Sequence, residues 1–166
     1  CSNHISAFDP PMVGVSMPFP VRFMAKEELF SNKLFGSLLK ALGAFPIKRG
    51  KSDVGALKAA INILKNGENL VIFPEGKRSK DGNLNRGKSG AALIAIKAGV
   101  NILPIGIGGK YGLFKKMTIK IGKPVVLEEY FEQKLETTEL QKLTSEKIMP
   151  VIAELAGVKT YESRNS

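Results

Sequence analysis

Short apolar runs alternate with stretches of helical period along most of this chain, and that alternation limits the fold more than any other feature. Residues 21–25 (VRFMA), 45–48, 70–73 (LVIF), 102–107 (ILPIGI) and 117–121 (MTIKI) read as strands. Between them, residues 34–42 carry Leu34, Phe35, Leu38, Leu39 and Leu42 at helical spacing. Ser52 and Asp53 offer a cap for a second helix, marked by Val54, Leu57, Ile61 and Leu64, with Gly67 as its stop. Residues 89–98 read as a helix of small side chains, and residues 140–155 as a helical pattern broken at Pro150. Strands alternating with helices predict an α/β fold: a single domain whose mixed or largely parallel central sheet is flanked by helices, over residues 1–160, with a frayed tail at 161–166.

Composition removes several alternatives. With 166 residues the chain can bury a core without staples, and its 43% hydrophobic and 24% charged residues are ordinary for a globular domain. A single cysteine, Cys1, excludes a disulfide scaffold. The longest uncharged runs, residues 10–21 and 98–109, are shorter than the ~18 apolar residues a membrane span needs. The net charge of +10 is uneven: residues 1–127 hold 20 basic and 7 acidic groups, and residues 128–166 hold 5 and 8. Such a body favours an anionic partner.

Four blocks carry the candidate chemistry. The only histidine, His4, precedes Asp9 in a His-x4-Asp spacing. Histidine can accept a proton near neutrality, and a carboxylate can fix its tautomer. Five residues of ideal helix leave the two about 140° apart, so they meet only if the segment turns, and Pro10-Pro11 points to a non-regular segment there. The second block, Gly43-Ala44-Phe45-Pro46-Ile47-Lys48-Arg49-Gly50-Lys51, clusters cations ahead of a helix. The third, Phe73-Pro74-Glu75-Gly76-Lys77-Arg78-Ser79, runs from a strand into a turn whose cations suit a phosphate. The fourth is Ile102-Leu103-Pro104-Ile105.

In this order the blocks resemble the glycerolipid acyltransferase family, most closely its bacterial 1-acyl-glycerol-3-phosphate branch. The resemblance covers residues 2–124 and implies the following roles. His4 is the general base for the acceptor hydroxyl, and Asp9 orients it. Arg49 and Arg78 hold the acceptor phosphate, with Lys26 as a further phosphate or donor contact. Glu75 and Gly76 shape the turn, Glu75 either binding the glycerol hydroxyl or bracing the arginines, and Ser79 completes the substrate-binding set. Pro104 lies in the block tied to the acyl donor. The acceptor is lysophosphatidic acid or a related glycerol-linked acceptor. The donor is acyl-CoA or acyl carrier protein, a co-substrate, and no cofactor or metal is expected. A membrane-associated segment upstream of Cys1 is also expected.

Partners other than lipid leave little trace. No zinc-finger or RNA-recognition signature is present, and aromatics at 7% do not interleave the basic runs, so nucleic acid is not expected. The rival class is a non-catalytic basic module for anionic membranes. Met12, Val13, Val15, Met17 and Phe19 form either a lipid-facing loop or core beneath the site. Phe35, Leu38, Leu39 and Leu42 are expected to face the core, the alternative being a second membrane-facing stripe. Lys110, Lys115, Lys116, Lys120 and Lys123 suit headgroups or CoA phosphates. The expected location is the cytoplasmic face of a cell membrane.

Overall fold

A computed structural model describes residues 1–47, 54–109, 111–112 and 116–164 of the chain. Contacts cluster into two compact units, Pro10–Ile72, and Cys1–Asp9 together with Phe73–Ser166.

The first unit is built around three parallel strands. After helix α1 (Asp9–Ser16) come β1 (Val21–Lys26), α2 (Lys33–Ala41), β2 (Ala44–Ile47), α3 (Val54–Lys65) and β3 (Asn69–Val71). Strand order is β2-β1-β3, with Phe23 opposite both Ala44 and Val71. Each parallel step is bridged by a helix, as parallel pairing requires. Phe23, Ala44 and Val71 are buried, as are Val13 and Ala60. The segment from His4 to Asp9 is non-regular, as expected, but the stretch after it, read as an apolar loop, begins as a helix. Pro10 and Pro11 occupy the first turn of α1, where their missing N–H groups have no helical partner to lose. Helix α3 stops at Gly67, whose φ of +79° suits glycine. Its expected caps, Ser52 and Asp53, lie outside the described residues.

Helix α2 departs most from expectation. Asn32 caps it, its Oδ1 accepting from the Phe35 N–H at 3.1 Å. Its buried residue is Gly36, where a Cβ would sit 2.9 Å from the Phe30 carbonyl oxygen. The glycine packs its own face by close backbone approach. Of the expected stripe, Phe35, Leu38 and Leu42 are exposed and Leu39 is half-buried; with Leu34, 87% exposed, they make most of it a surface stripe.

The second unit contains α4 (Gly90–Ala98), β4 (Ile105–Gly109), β5 (Met117–Ile121), α5 (Thr137–Leu143) and α6 (Met149–Ala156), with a π-helical turn at Thr144–Ile148. β4 and β5 pair antiparallel, Ile107 opposite Ile119. β4 begins later than its sequence suggests. Pro104 has no N–H for a ladder, and Ile102 makes only a lone bridge to Val125. Pro150 falls in the first turn of α6, so the helical pattern broken there resolves as α5, a π turn and α6. Gly106 lets α6 close on β4; a Cβ there would run into Leu155 and Ala156. Leu84, Ile96, Leu127, Ile148, Met149 and Ile152 form the core, each large side chain contributing about 1.5–3 kcal/mol on burial. A short 3₁₀ turn, Glu162–Arg164, follows near the end. Helices on a parallel sheet in one unit and on an antiparallel pair in the other give the α/β class expected from sequence.

Ser2 adds one parallel bridge at the edge of β4, opposite Ile105. The Cys1 carbonyl accepts from the Ile105 N–H at 2.7 Å. That bridge brings the N-terminal motif to the sheet. Among the described residues, no helix is long and apolar enough to cross a membrane.

Candidate active site

The motif segment is pinned before it reaches His4. Asn3 is buried and bonds both backbone groups of Ile107: Oδ1 accepts at 2.7 Å and Nδ2 donates at 2.9 Å. His4 is then held by its own backbone. Its N–H donates to Glu75 Oε1 at 2.9 Å, and its carbonyl accepts from the Ser79 N–H at 2.7 Å. Its ring stacks on Phe73 with centroids 4.2 Å apart.

The chain turns immediately after His4. Asp9 Oδ2 accepts from the Ile5 N–H at 2.6 Å and the Ser6 N–H at 2.7 Å. This turn brings the His-x4-Asp pair together, with His4 Nδ1 2.7 Å from Asp9 Oδ2. Tyr111 donates its O–H to the other carboxylate oxygen, Oδ1, at 2.7 Å. Asp9 is fully buried. Burial alone would raise its carboxyl, but hydrogen bonds from His4, Ser6, Tyr111 and Ile5 outweigh that and hold it below the usual range. An ionised Asp9 makes Nδ1 the protonated ring nitrogen, which leaves Nε2 to accept a proton. The His4 side chain is 17% exposed, enough for a small group to approach.

Glu75 is turned inward at 1% exposure, and its carboxylate is engaged by the motif segment and the following loop. Oε1 accepts from His4, and Oε2 accepts from the Asn85 N–H at 2.7 Å and Nδ2 at 2.8 Å. Burial pushes this carboxyl up, against the lowering by Asn85 and His4. A carboxylate this deep needs every oxygen satisfied, and donors from the motif segment and the following loop supply that. Ser79 is likewise turned into its own loop, donating to Asp81 Oδ1 and accepting from the Gly82 N–H, both at 3.0 Å. Gly76 has a φ of +68°, and the Lys88 side chain crosses where its Cβ would stand.

Lys77 and Arg78 follow on the surface of the same turn. Lys26 is exposed at the end of β1, opposite Ile47, in the Pro10–Ile72 unit. Arg49, Lys110 and Lys115 lie outside the described residues. Pro104 is buried beside β4.

Sequence reasoning missed three residues. Asn3 precedes His4 but gives no sign of its partner 104 positions away. Asn85 sits in a loop that reads only as polar. Tyr111 is 102 positions from Asp9, with no local pattern to mark it.

The acyltransferase family model matches residues 1–108, which include His4, Asp9 and the 73–79 turn. The chain belongs to the acyltransferase family. A 1-acyl-sn-glycerol-3-phosphate acyltransferase of Streptococcus pneumoniae is 37% identical over 133 residues, covering 76% of this chain and 49% of that protein. The protein of the same description from Bacillus subtilis is 40% identical over 130 residues, covering 74% of this chain and 64% of the relative. The crystal structure of the 1-acyl-sn-glycerophosphate (LPA) acyltransferase PlsC from Thermotoga maritima superposes with a TM-score of 0.69 at 31% identity, over 93% of this chain and 64% of that one. This acyltransferase chain therefore spans about half the length of the first relative and 64% of the second.

Proposed function

We propose that this chain is the acyl-transferring part of a 1-acyl-sn-glycerol-3-phosphate acyltransferase, moving a fatty acyl group from a thioester to the sn-2 hydroxyl of lysophosphatidic acid. The observation that carries this reading is the 2.7 Å contact between His4 Nδ1 and Asp9 Oδ2, in a segment held at its backbone by Glu75 and Ser79. With Nδ1 engaged, Nε2 takes the proton of the acceptor hydroxyl as its oxygen attacks the thioester carbonyl. Asp9 stabilises the imidazolium that forms. The tetrahedral adduct collapses, the C–S bond breaks, and the departing sulfur takes the proton back from Nε2. An ester and a free thiol result, with no acyl-enzyme and no cofactor in the balance. Acyl-CoA or acyl carrier protein serves as donor.

Arg78, with Lys77 beside it, and Arg49 are offered as cations for the acceptor phosphate, and Lys26 as a phosphate or donor contact. Glu75, Gly76 and Ser79 are offered as framework residues: their engaged groups support a role in holding His4 and the turn.

A lipid acceptor requires contact with a membrane. We assign that contact to the surface stripe of α2 and its C-cap, where Leu34, Phe35, Leu38 and Leu42 are exposed alongside Lys33 and Lys40 and the helix has no acidic residue. Val15 and Phe19 are exposed in the same unit. Anionic lipid at the cytoplasmic face is the expected surface.

The test is thiol release from acyl-CoA in detergent micelles, with and without lysophosphatidic acid. Wild type should release thiol only with the acceptor, and His4→Ala should lose about 10²–10⁴-fold in rate while keeping its fold. Acceptor preference follows from replacing lysophosphatidic acid by glycerol-3-phosphate or another lysophospholipid. Lipid binding without thiol release would favour the non-catalytic membrane module.

A further inference from the structure

The carboxylate of Asp9 is aimed from two sides. Its Oδ2 faces His4 Nδ1 and the N–H groups of Ile5 and Ser6, all within its own turn. Its Oδ1 has a partner from far along the chain, the Tyr111 hydroxyl at 2.7 Å. The phenol arrives from the stretch that follows β4. Four residues earlier, Ile107 on β4 holds Asn3 through two hydrogen bonds. The motif segment is therefore tied at both ends, Asn3 to Ile107 and Asp9 to Tyr111. Phe8, next to Asp9 in sequence, lies against the Tyr111 ring with centroids 6.2 Å apart.

We infer that Tyr111 is a positioning residue of the acyl-transfer site, its O–H fixing the Asp9 carboxylate so that Oδ2 stays directed at His4 Nδ1. The inference rests on the acyltransferase reading above and extends it to a residue outside the four sequence blocks. Both oxygens of a buried carboxylate need donors. Without the phenol, Oδ1 must find water or rotate toward another donor, and rotation takes Oδ2 from the imidazole. The hydroxyl also draws charge from Asp9, so its loss leaves the His4–Asp9 pair with more negative charge and a tighter hold on protons. Burial, followed by the hydrogen bond to Asp9 and that carboxylate's charge, raises the phenol in return.

Tyr111→Phe keeps the ring and removes only the hydroxyl, so the fold should survive. Two measurements are made. The first is kcat, KM and the pH profile of thiol release. The variant should lose about tenfold in kcat, the scale of one hydrogen bond to a charged group, with KM for acceptor and donor within about twofold. The acid limb of its profile should move up by about half a pH unit or more. A merely structural role would not move that limb. The second is the ultraviolet phenolate titration, where the difference between wild type and Tyr111→Phe isolates this one phenol. It should ionise above the ordinary tyrosine value of about 10, and at lower pH in an Asp9→Asn background. Unchanged kcat and acid limb in Tyr111→Phe, beside an active wild type, overturn the inference alone. So does a phenol titration indifferent to Asp9→Asn. A folded wild type that transfers no acyl group removes the acyltransferase reading, and this inference falls with it.

Discussion

At the scale of single residues, the site depends on carboxylates buried for opposite ends. Asp9 is held in its charged form by its donors, whereas burial works against the charge on Glu75. Their effects on folding have opposite signs. With its carboxyl lowered in the fold, Asp9 contributes stability that is present above its unfolded value of about 3.9 and lost as pH falls through the folded one. Glu75, raised in the fold, contributes most below its unfolded value of about 4.3 and loses that contribution as pH rises through the folded one. Denaturant unfolding of wild type and Asp9→Asn across pH 2–7 should show it: wild type gains stability over the variant as pH rises from the acid end. Curves that stay parallel throughout would count against the network around Asp9. The sequence made the His4–Asp9 pair legible because it is tied to a spacing. It hid Tyr111, Asn85 and the inward turn of Glu75, because those depend on which distant backbone the motif lies against.

Secondary-structure elements were legible wherever local signals agreed. β5, α3 and the break at Pro150 follow from alternation, helical period, a glycine stop and a proline. α1 was misjudged because two prolines in a row resemble a break, yet at a helix start they cost no hydrogen bond. α2 was misjudged for a different reason. Its apolar period is real, but a period says that one face is apolar and not what covers it. Gly36 packs its own face through backbone contact with Phe30, and Leu34, Phe35, Leu38 and Leu42 stay outside. Substituting Leu34→Glu and Leu38→Glu removes apolar area and adds like charge toward an anionic bilayer. Binding to vesicles of anionic phospholipid should fall at least tenfold, while circular dichroism stays that of wild type, since both positions are exposed. Unaltered vesicle binding would remove α2 from the membrane contact.

The whole molecule carries +10, and the two compact units share that charge evenly: residues 10–72 hold nine basic and four acidic residues, a net of +5. Attraction to an anionic surface should therefore weaken with salt. Raising sodium chloride from 50 to 500 mM shortens the Debye length by about threefold, so the vesicle affinity of wild type should drop steeply, leaving the smaller part due to apolar insertion. Affinity that ignores salt would assign the contact to the apolar stripe alone. One architectural fact has a consequence for how the molecule is made. Residues 1–9 belong with 73–166, and 10–72 form a unit of their own. His4 therefore leaves the ribosome before the intervening unit, while Glu75, Ile107 and Tyr111 follow 71 to more than 100 residues later. At about 5–20 residues per second, the nascent motif waits several seconds for its anchors while the intervening unit has all its strands and helices in hand. Contacts so distant in sequence close slowly. Seating of the His4–Asp9 turn on its anchors is thus a late event in the life of a newly made chain.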